Sequence, residues 1–96
     1  MEHFNQLTPS EAERLAVLLE EMGEAQQAIG KILRHGYNSR HPAGGETNRE
    51  TLERELGDVL YAMLTLCRKG DVQEESLEEW AKKKHSKIEQ YLHHKE

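Results

Sequence analysis

Two short segments of this 96-residue chain set acidic residues three positions apart, Glu21-Met22-Gly23-Glu24 and Glu55-Leu56-Gly57-Asp58. Residues at i and i+3 share one face of a helix, so each segment, if helical, presents two carboxylates side by side. Like charges at that spacing repel, and four carboxylates gathered in one small volume raise one another's pKa unless a cation neutralises them. Oxygen donors with no Cys or His among them suit magnesium, with manganese as its substitute. Magnesium typically keeps several waters while it bridges carboxylates to phosphates. The chemistry that these residues imply is a magnesium site against a phosphate ligand, held by Glu21, Glu24, Glu55 and Asp58.

One such spacing means little in a chain with 18 Asp and Glu residues, because solvated helix faces produce it by chance. The register of the two does mean something. A shift of 34 positions, from Glu21 to Glu55, also lays Ala28-Ile29 on Ala62-Met63 and Arg34-His35-Gly36 on Arg68-Lys69-Gly70. Two stretches that share carboxylate register, apolar stripe and terminator read as a pseudo-symmetric helix pair. Gly23 and Gly57 occupy equivalent places within it and suggest close helix approach, since a mid-helix Gly costs about 1 kcal/mol relative to Ala.

The elements that must position these acids are three helices, at about 9–35, 48–69 and 72–94. Thr8-Pro9-Ser10-Glu11 joins a capping hydroxyl, a proline suited to the first helical position and the Glu of a capping box. Leu15, Leu18, Leu19, Met22, Ala25, Ile29, Ile32 and Leu33 then recur at helical spacing up to Gly36. Thr47 and Glu50 make a second capping box, followed by Leu52, Leu56, Val59, Leu60, Met63, Leu66 and Cys67. Asp71 is placed to cap a third helix, with Leu77, Trp80, Ala81, Ile88, Tyr91 and Leu92 on its stripe. The 36–48 segment, with Pro42, Gly44 and Gly45, is too long for a tight helical hairpin and reads as a flexible loop or a lid. No strand pattern occurs, so the expected fold is an all-α bundle forming a single domain over 1–96. At about 100° per residue, Glu21 and Glu55 fall at the edge of their apolar stripes and Glu24 and Asp58 roughly 60° further round. Sequential helices usually run antiparallel, which lets the two pairs converge.

Composition narrows the function classes. The formal charge of -5 argues against nucleic acid as the main partner, since a phosphate backbone is normally met by a basic surface. Only 35% of residues are hydrophobic, and mean hydropathy is -0.90. So small a chain has little apolar area to offset the entropy of ordering its backbone, and a partner copy is expected to complete the core. The lone Cys67 falls on an apolar stripe and reads as an inert thiol in a reducing compartment. No apolar run nears the roughly 20 residues of a membrane span, nor is there a basic-then-apolar leader at the start. The expectation is a soluble, cytoplasmic protein with no membrane partner.

From Leu15 to Tyr91 the chain resembles the MazG-like, all-α nucleoside triphosphate pyrophosphohydrolases, which are related to the all-α dimeric dUTPase-type enzymes. The residues that carry the resemblance are Glu20-Glu21-Met22-Gly23-Glu24 and Glu55-Leu56-Gly57-Asp58-Val59-Leu60. It implies a helical bundle completed as a homodimer or a dimer of dimers. The implied reaction converts a (deoxy)nucleoside triphosphate to the monophosphate and pyrophosphate with magnesium, the ligands being Glu21, Glu24, Glu55 and Asp58. Glu20, the spare carboxylate beside Glu24, is then a general base, a group supporting the ligands, or an ordinary solvated acid. Basic residues on the last helix of such proteins approach the phosphates, a role that Lys83 and Lys87 fit, and Lys31 lies two turns after Glu24 on the same face. The segment between Glu24 and Glu55 is longer than is usual in the family, and the extra length holds His35, Arg40 and His41.

Two other readings compete. A di-iron carboxylate bundle needs Glu-x-x-His on two helices, and none of these acids has a His three residues on. Nor does the chain contain a His-Glu-x-x-His motif, a P-loop or a nucleophile elbow. The stronger rival is a non-enzymatic helical homodimer acting as a protein-interaction module, with the acids as a solvated seam.

Overall fold

Helix initiation follows the two capping boxes. In the computed structural model, which describes residues 4–95, the Thr8 hydroxyl accepts from the Glu11 amide at 3.1 Å and Glu11 Oε1 accepts from the Thr8 amide at 2.8 Å. Thr47 and Glu50 repeat the arrangement at 3.1 and 2.8 Å. Each box satisfies backbone donors that a helix start would otherwise leave unpaired. Helix α1 spans Pro9–His35, α2 Asn48–Arg68 and α3 Glu74–Glu89. The amide of Gly36 closes α1 by donating to the Ile32 carbonyl at 2.7 Å, at a φ of 87° that glycine adopts without a side-chain clash. No helix of the described residues is long and apolar enough to cross a membrane.

The third helix departs from expectation at both ends. Asp71 does not cap it. Its carboxylate instead takes two hydrogen bonds from Arg14 of α1, at 2.6 and 2.9 Å, and the helix starts three residues later behind Gln73, which makes no side-chain cap. A charged, bidentate partner outcompetes a single amide for the same oxygens. The helix ends at Glu89 rather than 94. Beyond it Tyr91, Leu92 and their neighbours are all exposed, so no packing rewards further ordering.

Helices α1 and α2 form an antiparallel hairpin, tied at one end by Arg14 and Asp71 and at the other by Asn48, whose side-chain amide donates to the Gly36 carbonyl at 3.1 Å. Their seam is built from small residues. Ala25, Ala28 and Ala62 are buried along it together with Leu66 and Glu55. The larger side chains expected in the core, Leu15, Leu19, Met22, Ile29 and Leu33, lie about 100° round α1 and remain exposed, Leu33 at 82%. Leu56 and Leu60 do the same on α2. Alanines win the seam because they let two backbones approach closely. Gly23 and Gly57, by contrast, take no part in that approach: a Cβ added at either would meet nothing within 4 Å.

Helix α3 touches the hairpin only lightly; Leu77 and Ala81 share with Leu60, Met63, Leu64 and Cys67 of α2 the lining of an open groove of about 200 Å³. None of its residues is buried. The radius of gyration is 17.0 Å, against about 12.5 Å for a compact domain of this length.

Candidate active site

Because α1 and α2 run antiparallel, the seam that sets Ala28 beside Thr51 and Glu55 and Ala62 beside Val17 also brings Glu21 and Glu24 together with Asp58 and Glu55 between them. One carboxylate oxygen from each of the four lies within 4.8 Å of the other three. Glu55 is buried in the seam with 8% of its surface exposed, Glu21 is half-buried, Glu24 partly exposed and Asp58 exposed.

That placement has an electrostatic consequence. Oε2 of Glu21 and Oε2 of Glu55 are both buried without a hydrogen-bond partner. Burying an ionised oxygen unpaired is among the costlier arrangements a fold can hold, and it persists where a cation or proton compensates it. The Glu24 carboxyl is held above its ordinary range, first by its contact with the Glu55 carboxyl and next by the charge of Glu21, with partial burial and the charges of Glu55 and Glu20 adding to the effect. Four convergent carboxylates, two of which carry an unpartnered buried oxygen, with no thiolate or imidazole in the group, fit a hard divalent cation of the magnesium class.

Arg54 is the residue that sequence reasoning passed over. Its guanidinium donates to Glu55 Oε1 at 2.9 Å and, through two nitrogens, to Glu46 Oε1 at 2.6 and 3.2 Å. Neighbours at i and i+1 do not face each other on a helix, so nothing in the spacing links Arg54 to Glu55. Only the return of Glu46 from the α1–α2 connection folds the arginine back. The one signal in the sequence is a cation beside the acid.

Beside the carboxylates lies an open cleft of about 340 Å³, lined by Glu24, Gln27, Ala28 and Lys31 of α1 and Thr51, Arg54 and Glu55 of α2. Lys31 therefore stands at the cleft. Glu20 is exposed on α1, close enough to Glu24 for its charge to be felt there. Lys83 and Lys87 are on α3 and do not line the cleft; the Lys83 ammonium sits 4.6 Å from the centre of the Trp80 ring. The exposed apolar stripe of α1 points to roughly the opposite side of the hairpin from the cleft.

An all-α hairpin with paired acids meeting across its seam, compatible with a hard cation, is the class of protein that fold and site define. The family model of the MazG nucleotide pyrophosphohydrolase domain matches residues 10–94, from the first turn of α1 past the end of α3. The chain belongs to that family, and the acidic cluster is compatible with nucleotide pyrophosphohydrolase activity. No curated protein and no solved structure matches it.

Proposed function

We propose that this chain hydrolyses a (deoxy)nucleoside triphosphate at the α–β phosphoanhydride bond, releasing the monophosphate and pyrophosphate in a magnesium-dependent reaction. The observation that carries this reading is the convergence of Glu21, Glu24, Glu55 and Asp58 with two buried oxygens left unpartnered. These four residues would hold magnesium, or manganese in its place. When bound, the metal supplies an activated water and neutralises charge on the phosphates.

The chain's own groups do the rest. Lys31 stands where it meets a phosphate lying in the cleft. Glu20, exposed beside Glu24, is the candidate to accept the water's proton. Arg54 orients Glu55 by its hydrogen bond. Lys83 and Lys87 do not line the cleft of their own chain, so their contribution to phosphate binding requires a partner subunit. A homodimer or dimer of dimers is supported by the exposed stripe of Leu15, Leu19, Met22, Ile29 and Leu33 and by the thin seam between the helices. Covering that stripe with a second copy leaves the cleft open.

An interaction module without enzymatic activity would account for the apolar stripes but not for unpaired buried oxygens beneath a cleft. The deciding assay follows pyrophosphate release from a panel of canonical and modified nucleotides, with magnesium or with EDTA. Glu24→Gln and Asp58→Asn are each expected to lower the rate on the order of a hundredfold or more, as several kcal/mol of charge stabilisation are at stake and each 1.36 is a factor of ten. Full activity in both variants would end the four-carboxylate assignment.

A further inference from the structure

Past Lys31 the cleft leads to a second hollow of about 340 Å³ that the four-carboxylate site does not use. Lys31, Arg34 and His35 line it from the last turns of α1, and Arg40 and His41 from the α1–α2 connection. In a chain of net charge -5 this gathering of three permanent cations and two imidazoles runs against the composition. Among the described residues none of the five pairs with a carboxylate.

Their local bonds shape the hollow without neutralising it. Arg40 donates one N–H to the Gly45 carbonyl at 2.7 Å, and His41 Nδ1 accepts from the Ala43 amide at 3.1 Å. A guanidinium has five donors, so Arg40 keeps others to offer. The connection is further held by backbone bonds from Asn48 to Ser39 at 2.9 Å and from Arg49 to Tyr37 at 2.8 Å. Glu50 is near enough for the charge of Arg40 to act on it, but its Oε1 is engaged in capping Thr47.

The simplest structural explanation is that cations collect at the carboxyl end of α1 to complement its dipole. That accounts for Arg34 and His35. It does not account for Arg40 and His41, which belong to the connection and line the same hollow. Lys31 lines both spaces, seven residues beyond Glu24 and hence about 10.5 Å along the axis. A phosphate chain that starts at the carboxylates and extends past Lys31 runs into the cations.

We infer that the hollow formed by the end of α1 and the α1–α2 connection binds a pyrophosphate group, as the terminal phosphates of the substrate or as the free product. The inference rests on the pyrophosphohydrolase reading above and deepens it: Arg34 and Arg40 select triphosphates over shorter nucleotides, and the product competes for the same place.

The test is calorimetric titration of the full chain with sodium pyrophosphate in EDTA, which needs neither metal nor turnover. Binding is expected, weakening as salt rises and falling about tenfold in Arg34→Gln and in Arg40→Ala, since each removes a charge-assisted contact. The Arg34 side chain makes no hydrogen bond among the described residues, so its variant separates lost binding from lost structure, and Arg40→Lys should recover part of the affinity. Glu24→Gln should bind pyrophosphate as well as the parent chain. The two sources of the group separate in kinetics: terminal phosphates held during turnover require KM for a triphosphate to rise in Arg40→Ala with little change in kcat. A fall in product inhibition alone assigns the hollow to free pyrophosphate. No binding in EDTA, or binding lost in Glu24→Gln and kept in Arg34→Gln, overturns the inference. Failure of the parent chain to hydrolyse any nucleotide overturns the functional reading instead, and the titration in EDTA still reports on the hollow.

Discussion

The guanidinium of Arg54 donates to the buried carboxylate of Glu55 at 2.9 Å and at the same time reaches Glu46 at 2.6 Å, so one side chain ties the α1–α2 connection to the centre of the acidic cluster. In the absence of metal it supplies a positive charge to a site of four negative ones. It also fixes which Glu55 oxygen is taken and which is left free, a supporting role like that of groups hydrogen-bonded to metal ligands. Arg54→Ala is expected to lower kcat by about tenfold to a hundredfold. Arg54→Lys should recover little of it, because an ammonium cannot bridge two carboxylates as a planar fork does. Steady-state kinetics across a magnesium titration would check this; an unchanged kcat in both variants would remove Arg54 from the site.

A cation that binds only the folded chain stabilises it. Magnesium at a hundred times its dissociation constant is expected to add about 2.7 kcal/mol to the unfolding free energy. In Glu55→Gln, which removes the buried ligand's charge, the increment should vanish. Denaturant unfolding with magnesium and with EDTA measures both.

The pH dependence of the metal-free protein should carry two opposing limbs. Glu24 has its pKa raised in the folded chain, foremost by its contact with Glu55. A raised carboxyl favours the protonated fold, so stability is fully present below the ordinary value of about 4.5 and declines as pH rises through the folded value. Asp71 is lowered by the hydrogen bond from Arg14, so its contribution is present above its ordinary value of about 3.8 and is lost as pH falls through the folded value. Thermal unfolding in EDTA should therefore show Glu24→Gln more stable than the parent at neutral pH, and Asp71→Asn less stable there with a flatter acid limb. A Glu24→Gln melting temperature below that of the parent at neutral pH would contradict the repulsion described.

Close approach of the two motif helices depends on alanine. Ala62 is 3% exposed in the seam, and Ala62→Leu is expected to cost about 1–3 kcal/mol by overpacking. By moving α2 off α1 it should also separate Glu21 and Glu24 from Glu55 and Asp58. Chemical denaturation reads the first effect and magnesium calorimetry the second, which should weaken even where the variant remains folded.

A second copy is expected on the exposed stripe of α1. Leu19→Glu and Leu33→Glu, at 70% and 82% exposure, should shift the particle in light scattering from two or more chains to one. A parent chain that is already monomeric at micromolar concentration would leave Lys83 and Lys87 without a phosphate to meet.

Much of this site is legible in the sequence alone. The two helix starts follow from Thr8 with Glu11 and Thr47 with Glu50, since a capping box is completed within four residues. The shared face of Glu21 with Glu24, and of Glu55 with Asp58, follows from helix periodicity. The repeat from Glu21 to Glu55 then sets the two pairs in equivalent register. All of these are local relations, and backbone geometry determines local relations almost completely. What the tertiary structure decided was which of several plausible stripes meets which. The whole leucine stripe was the natural choice for the hairpin seam, but Ala25, Ala28, Ala62 and Leu66 took it and left Leu15, Leu19, Leu33, Leu56 and Leu60 outward, because the distance between two backbones depends on both faces together. For the same reason Asp71 went to Arg14 instead of its own helix, and Arg54 to Glu55 by way of Glu46. Contacts between residues far apart in the chain depend on how whole elements pack, and no spacing within one helix encodes them.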